Sequence, residues 1–172
     1  MKPAPFDYAK PSSVEEVFDL LDQYGDDARL LAGGQSLLPS LNMRLSAPAI
    51  LIDITGQDAL RGIVISDGVL RIGALTTYAE VKASAEVARA APMLSQAVPW
   101  IAHPAIRNRG TVGGSLAHAD PAAELPACML ALDAQMEIAA KSGRRRVAVG
   151  DFFRGLFETD LKPGEMLTAI EV

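Results

Sequence analysis

The segment Leu30-Leu31-Ala32-Gly33-Gly34-Gln35-Ser36-Leu37-Leu38-Pro39 decides how the fold of this 172-residue chain is interpreted. It reads as a short apolar strand, two glycines, two polar residues and the apolar start of a helix. Glycine tolerates positive φ and has no Cβ, so several backbone N–H groups can face one concavity and an anion such as a diphosphate can approach closely. The side chains of Gln35 and Ser36 add donors. Taken alone, a Gly-Gly pair after a strand is more often a plain structural turn.

A second glycine pair lies in Arg107-Asn108-Arg109-Gly110-Thr111-Val112-Gly113-Gly114-Ser115. It repeats the pattern, with two glycines beside hydroxyl donors and two arginines upstream. The alternative interpretation is a β-bulge or tight corner with solvated arginines. Together the two turns predict a cleft lined with N–H and hydroxyl donors, without identifying the phosphate compound that fills it. Neither a P-loop nor a Gly-x-Gly-x-x-Gly fingerprint is present, which argues against P-loop hydrolysis and a Rossmann nicotinamide site.

The composition narrows the classes of protein to consider. A net charge of −5 argues against a nucleic-acid surface, and the 49% hydrophobic share is ordinary for a globular protein. No apolar run approaches the roughly 20 residues of a membrane span, and Met1–Pro5 does not open a signal peptide. Cys128 is the only cysteine, which excludes a disulfide framework or a cysteine-ligated metal site and favours a cytoplasmic setting. We expect it to pack as a small buried hydrophobe.

The remaining pattern predicts an α+β fold in two lobes rather than a doubly wound sheet, because strands and helices mix without a regular βαβ rhythm. The first lobe, to about Thr55, is β-α-β-β in outline, and the second covers residues 56–172. Asp67-Gly68 predicts a tight hairpin turn. We expect a helix from Asp120-Pro121 to about Leu132. The final strand, Met166–Val172, is interpreted as an edge strand whose abrupt end suggests that a larger polypeptide continues.

Several single residues allow a structural and a functional interpretation. Trp100 is expected in the core, and His118 is interpreted as a hydrogen-bonded loop histidine rather than a catalytic group. Arg107 and Arg109 are expected to face a partner or solvent, because glycine amides already serve a diphosphate. Arg144–Arg146 is expected to be a solvated strand or a partner contact.

The segments Ala32–Pro39 and Arg107–Glu124, with Lys162–Leu167 near the end, resemble the FAD-binding medium subunit of molybdenum hydroxylases. The likeness is greatest to the carbon monoxide dehydrogenase medium-subunit group and more distant to the flavin domain of xanthine dehydrogenase, and it covers essentially the whole chain. It implies a PCMH-type (vanillyl-alcohol-oxidase-like) two-lobe FAD-binding domain over residues 1–172, without the C-terminal domain of the family. An isolated chain lacking that domain is expected to hold FAD weakly and to expose a strand edge at Met166–Val172.

The resemblance also implies a set of cofactor contacts. It places the first turn at the FAD diphosphate and the second along the diphosphate and ribityl chain, with Glu124 at the adenosine ribose and Leu167 near the isoalloxazine edge. Without the resemblance, Glu124 is a carboxylate favoured in the first turn of a helix. Ser115 stands where many relatives have asparagine. The implied cofactor-binding residues are Leu30, Leu31, Ala32, Gly33, Gly34, Gln35, Ser36, Leu37, Thr111, Val112, Gly113, Gly114, Ser115, Glu124 and Leu167.

The function implied by the resemblance is electron transfer. The sequence contains no recognisable catalytic triad, carboxylate pair or metal cluster, which suits a protein whose cofactor carries the chemistry. The family implies a large partner subunit with a molybdenum cofactor, where substrate is oxidised, and a small partner with two [2Fe–2S] clusters, as a heterotrimer or its dimer. FAD would pass electrons from those clusters to an external acceptor. Two alternatives stay open, a stand-alone flavin oxidoreductase of the same fold and a non-redox nucleotide-binding module.

Overall fold

The first lobe is built on a three-stranded parallel sheet. The computed structural model describes residues 2–172, so Met1, the first residue of the N-terminal segment discussed above, lies outside the described residues. The strand Ile50–Asp53 (β3) lies in the centre, between Asp7–Ala9 (β1) and Ala28–Leu31 (β2). Its elements are β1 (Asp7–Ala9), α1 (Val14–Tyr24), β2 (Ala28–Leu31), α2 (Leu37–Asn42) and β3 (Ile50–Asp53).

All three strands of this lobe run parallel, so the chain must cross over between them, and it does so through α1 and α2. The prediction that strands and helices follow no regular βαβ order is therefore wrong for the first lobe, whose order is β-α-β-α-β. The reason is that α2 has only six residues, too few to give a clear helical period.

The helix α1 joins the first lobe to the second. Ser13 caps it by accepting a hydrogen bond from the Glu16 N–H at 3.2 Å. Its buried face, Val17, Phe18 and Leu21, packs with the first sheet and with a set of second-lobe residues. That set is Leu60, Leu75, Ala139 and Met166. The two lobes thus share one hydrophobic cluster.

The second lobe contains a five-stranded antiparallel sheet and a small hairpin. The order in the sheet is Ile63–Ser66 (β4), Val69–Gly73 (β5), Met166–Glu171 (β10), Gln135–Ala140 (β6) and Gly143–Ala148 (β7). The turn between the first two strands has positive φ at both Asp67 (53°) and Gly68 (84°), which confirms the predicted tight hairpin. The strands are β4 (Ile63–Ser66), β5 (Val69–Gly73), β6 (Gln135–Ala140), β7 (Gly143–Ala148), the hairpin pair β8 (Phe153–Gly155) and β9 (Glu158–Thr159), and β10 (Met166–Glu171).

The strand β10 lies in the middle of this sheet. It pairs antiparallel with β5 on one side and with β6 on the other. The predicted edge strand and exposed strand edge at Met166–Val172 are therefore wrong. The local pattern cannot reveal a strand's neighbours, although the five consecutive buried residues from Met166 to Ile170 are typical of a strand covered on both faces.

Helices cover one face of the five-stranded sheet. Alternate residues such as Met136 and Ile138 point to these helices, whereas Ala139 points to α1 on the opposite face. Cys128 is buried in the hydrophobic cluster between this sheet face and its helices, as predicted. Among residues 2–172 no helix is long and apolar enough to cross a membrane. The helices of this lobe are α3 (Tyr78–Ala83), α4 (Ala85–Ala90), α5 (Pro92–Ala97), α6 (Pro104–Arg107), α7 (Val112–His118), α8 (Glu124–Ala131) and α9 (Val149–Phe152).

The start of α8 differs from its prediction. The helix begins at Glu124 rather than near Pro121. The Asp120 carboxylate instead accepts a hydrogen bond from the Ala122 N–H at 2.9 Å, which closes a local turn. The Asp-Pro pair thus forms an Asx-type turn before the helix, a use of aspartate that competes with capping.

The arginines of Arg144–Arg146 are all ion-paired, yet the side chains of Arg144 and Arg146 are 71% and 63% exposed on an edge strand, in line with the predicted solvated strand. Arg145 is the most heavily bound: its Nε and Nη2 donate to the Glu165 carboxylate at 2.7 and 2.6 Å, and its Nη1 donates to Asp160 at 2.8 Å. Long-range pairs of this kind fix the loop before β10 to the edge of the sheet.

The predominantly α+β two-lobe fold is as predicted.

Candidate cofactor-binding site

The two glycine motifs touch each other. A Cβ added to Gly33 would collide with the carbonyl oxygen of Arg109 and would lie 2.8 Å from the Cα of Gly110. The first turn and the segment that leads into the second motif are therefore packed backbone against backbone. Gly33 is needed for this close approach between the lobes, a reason that the sequence pattern did not suggest.

The first turn carries free backbone donors. Within residues 2–172, the N–H groups of Gly33, Gly34, Gln35 and Ser36 find no protein acceptor. Gly34 has a φ of 72°, which a residue with a side chain rarely adopts. The Gln35 side-chain amide donates to the Gly33 carbonyl at 2.9 Å and so folds back over the turn. Four successive unpaired N–H groups are the feature that an anion-binding turn requires.

The second motif is the beginning of a helix rather than a free turn. Thr111 is the N-cap of α7 and accepts a hydrogen bond from the Gly114 N–H at 3.1 Å. The N–H groups of Val112 and Gly113 donate to carbonyls of the segment 74–76, at 2.9 and 2.8 Å. The prediction that this glycine pair offers free N–H groups is therefore wrong, because the helix docks its first turn on the neighbouring loop.

The two glycines of the second motif lie in different surroundings. Gly113 is buried, and a Cβ there would lie 2.5 Å from the Cβ of Ala74, so its role is close packing. Gly114 is exposed, and Ser115 beside it is half-buried. Of the second motif, the half-buried Ser115 and the exposed Gly114 remain accessible to a ligand, whereas Thr111 is buried and its hydroxyl accepts the Gly114 N–H.

The other predicted contacts occupy varied positions. Leu30, Leu31 and Leu37 are half-buried and flank the first turn on β2 and α2. Glu124 is half-buried at the start of α8. Leu167 is only 4% exposed and packs in the core of the second lobe, so its side chain is set back from the surface. The structure therefore brings 30–37 and 111–115 together.

The sequence pattern assigned no role in the site to three residues of this region. Gly110 is buried under the contact with Gly33, Ala74 receives α7, and Tyr78 packs on Gly110. A signal for Tyr78 was present, since Thr77-x-x-Glu80 is a capping box that fixes the start of α3 at this residue.

The remaining candidates are held by neighbours. The His118 ring lies 5.2 Å from the ring of Phe157, tilted by 56°. Arg107 is half-buried, and its Nη1 donates to the carbonyls of Pro99, Ile101 and Ala102 at 2.8 to 3.2 Å. Arg109 is exposed, as expected.

The expected burial of Trp100 is wrong, since 81% of this residue is exposed. The adjacent positions Val98 and Ile101 are buried in the core instead, and the tied carbonyls of this turn direct Trp100 outward.

Comparison with known proteins agrees with a flavoprotein built on this two-lobe fold. Residues 4–172 match the family described as the FAD binding domain in molybdopterin dehydrogenase. The chain belongs to this family. It is 47% identical, over its whole length, to 6-hydroxypseudooxynicotine dehydrogenase complex subunit alpha of Paenarthrobacter nicotinovorans, of which it covers 58%.

Two further matches concern carbon monoxide dehydrogenase of Hydrogenophaga pseudoflava. The chain is 41% identical over its whole length to the medium chain of this enzyme and covers 60% of it. A solved structure of the enzyme superposes with a TM-score of 0.98 at 42% identity, covering all of this chain and 60% of the other. The chain thus spans about three-fifths of the length of these relatives. The predicted family and its FAD cofactor are confirmed.

The residues present fit FAD. The unpaired N–H groups of Gly33–Ser36 suit the acceptor oxygens of a diphosphate. Neither the segment 30–39 nor the segment 110–117 contains an acidic residue, although the chain is acidic overall. The exposed backbone at Gly114 allows a ligand to lie close to the start of α7.

Proposed function

We propose that the chain binds FAD across the two glycine motifs and serves as the electron-transfer subunit of a molybdenum hydroxylase. The observation that carries this proposal is the row of four unpaired N–H groups at Gly33–Ser36, packed against the segment that opens α7, in a chain of this family. Bound FAD would supply the redox chemistry, since flavins accept electrons singly or in pairs.

The chain's own residues would bind and orient the cofactor. The N–H groups of Gly33–Ser36 would hold the diphosphate through charge-assisted hydrogen bonds. The Ser115 hydroxyl would orient the ribityl side, with Thr111 behind it as the cap of α7, and Glu124 would accept hydrogen bonds from the adenosine ribose. The remaining proposed contacts are Leu30, Leu31, Ala32, Leu37, Val112, Gly113, Gly114 and Leu167.

The proposal assigns substrate oxidation to another subunit. The names of the relatives, a complex subunit alpha and a medium chain, support an assembly of several subunits. We infer a large partner with a molybdenum cofactor and a small partner with [2Fe–2S] clusters, which deliver electrons to the site described here. The histidine nearest the second motif, His118, is packed against Phe157, which does not favour a catalytic histidine at this end of α7.

Titration with FAD tests the binding site. The purified protein should take up FAD to one equivalent, and Ser115→Ala should weaken binding about fivefold, because one hydrogen bond contributes roughly 1 kcal/mol. Ser95→Ala is the matched control, since the buried Ser95 hydroxyl has no hydrogen-bond partner among residues 2–172. Protein that ignores FAD yet binds another nucleotide would refute the proposal.

Co-purification and a turnover assay test the division of labour. The protein should be isolated with a molybdenum subunit and an iron–sulfur subunit, and should show no substrate oxidation when purified away from them. Turnover by the isolated flavoprotein would instead identify a stand-alone oxidoreductase.

A further inference from the structure

The side chain of Gln35 is turned back onto the first glycine motif. Its amide nitrogen Nε2 donates a hydrogen bond to the Gly33 carbonyl at 2.9 Å. Within residues 2–172, this is the only hydrogen bond that the Gly33 carbonyl accepts. Gln35 is half-buried, so the contact is partly shielded from water. One of the two amide hydrogens of this side chain is therefore used inside the turn.

The hydrogen bond from Gln35 also fixes the direction of one N–H group of the turn. In a planar trans peptide unit the carbonyl and the N–H point in opposite directions. The Gly33 carbonyl and the Gly34 N–H belong to the same unit, so the side chain that binds the first directs the second away from itself. The next unit is held by the backbone, because the Gly34 carbonyl accepts a hydrogen bond from the Leu38 N–H at 3.1 Å. Both carbonyls are thus bound within the chain, and the N–H groups of Gly34 and Gln35 are left free.

The peptide unit between Gly33 and Gly34 is the one that most needs such a restraint. Glycine lies on both sides of it, so no Cβ opposes its rotation. Gly34 has a φ of 72°, and glycine adopts positive and negative φ about equally readily. Rotation of this unit by half a turn would replace the N–H by the carbonyl oxygen, which is an acceptor where an anion requires a donor. The orientation of this unit therefore depends on the Gln35 side chain.

We propose, resting on the proposed function, that the Gln35 side chain is a positioning group of the diphosphate site. It holds the Gly33–Gly34 peptide unit with its N–H directed to the anion, and it acts through the backbone rather than by touching the cofactor. A protein whose binding-competent conformation is only partly populated binds its ligand more weakly by that fraction. Selecting the competent orientation before FAD arrives therefore raises the affinity for FAD.

Gln35→Met removes the donor and keeps the length of the side chain. We expect this variant to bind FAD about fivefold more weakly, as for one lost hydrogen bond. The phosphorus NMR signals of the bound diphosphate should also shift, since the N–H groups around it are no longer fixed. Gln23→Met is the matched control, because it makes the same exchange at an exposed position of α1. Thermal unfolding of both cofactor-free variants checks that they fold.

Gln35→Glu tests the donor itself through the pH. A carboxylate cannot donate a hydrogen bond to the Gly33 carbonyl, whereas a protonated carboxyl group can. At pH 7 we expect this variant to bind FAD more weakly than Gln35→Met. Relative to wild type, its affinity should recover as the pH falls towards the ordinary glutamate pKa of about 4.3, and it should then exceed that of Gln35→Met. Loss of charge repulsion alone would raise it only to the level of Gln35→Met.

Three results would overturn the inference: wild-type affinity in Gln35→Met, an equal loss in Gln23→Met, or recovery of Gln35→Glu no further than Gln35→Met. Should Gln35→Met fail to fold, the return of Gln35→Glu towards wild-type affinity at low pH decides the question. Wild-type protein that binds no FAD would instead refute the proposed function.

Discussion

Gly33-Gly34 and Gly113-Gly114 stand in comparable places, each just before or within the first turn of a helix, but their backbones have different partners. The first pair leaves its N–H groups unpaired and uses Gly33 to contact the other lobe. The N–H groups of the second pair donate hydrogen bonds within the chain, to the Thr111 hydroxyl and to the 74–76 segment. One motif is therefore shaped to receive an anion, and the other is a docked helix start that contributes hydroxyls.

The comparison shows that one glycine of a pair can be required for packing while its neighbour is required for ligand access. Gly33 and Gly113 face backbone atoms of other segments, whereas Gly34 has left-handed backbone and Gly114 is exposed, with the hydroxyl of its own cap, Thr111, 2.7 Å from the position of an added Cβ. Substitutions at the packing glycines should thus act on the cofactor-free protein, before any ligand is present.

Gly33→Ala should give the largest effect. The new methyl group would collide with the backbone of Arg109, which cannot move without separating the motifs. Overpacking of this kind typically destabilises by about 2 to 3 kcal/mol. The measurement is urea unfolding of the cofactor-free protein.

Gly150→Ala is the control for this change, because no atom lies within 4 Å of the added Cβ and the backbone is not left-handed there. Equal stability of the two variants would show that the motifs are not held together through Gly33.

Thr111→Val should have the next largest effect. It removes the cap of α7 and leaves the Gly114 N–H without its acceptor, which costs about 1 kcal/mol. Ser36→Ala is the counterpart in the first motif. Ser36 precedes α2 without making a capping hydrogen bond, so its loss should change stability by less than about 0.5 kcal/mol. Similar losses in the two variants, measured by thermal unfolding, would contradict the contrast between the motifs.

Acid titration tests whether the second lobe can be weakened far from either motif. Hydrogen bonds from Lys162, Arg145 and Arg154 hold the pKa of Asp160 well below its ordinary value. A lowered folded-state pKa means that the stabilisation is present above the unfolded value of about 3.9 and is lost as the pH falls through the folded value.

Asp160→Asn should therefore reduce stability at neutral pH and flatten the loss of stability below about pH 4. We expect a smaller effect than at either glycine motif, since the arginine and lysine partners can return to water. Unfolding curves recorded across this range are the measurement, with Asp133→Asn as a control in an exposed loop. An unchanged acid limb would show that the Asp160 ion pairs contribute nothing.

Local chemistry predicted the parts of the fold that depend on near neighbours in the chain. The Asp67-Gly68 turn and the burial of Cys128 follow from a few adjacent residues. The same holds for the first motif, whose strand, glycines and helix lie in one segment of ten residues. These features can be predicted because the interactions that fix them join residues that are close together in the sequence.

The misses arose where distant segments meet. The contact of Gly33 with Arg109 and the docking of α7 on residues 74–76 join parts of the chain that no local pattern connects. The outward position of Trp100 depends likewise on carbonyls held by Arg107. The nature of the cofactor required the family resemblance, because a row of free N–H groups selects an anion but not the rest of the molecule.

The central position of β10 has a consequence for how the chain folds during synthesis. The hairpins β4-β5 and β6-β7 are made first, yet within the sheet they are joined only through Met166–Glu171. On a ribosome, the edges of these hairpins stay unpaired until that strand emerges and pairs with both of them to form one sheet. Assembly of the second lobe is thus a late, long-range event, of the kind that folds slowly and invites help from chaperones.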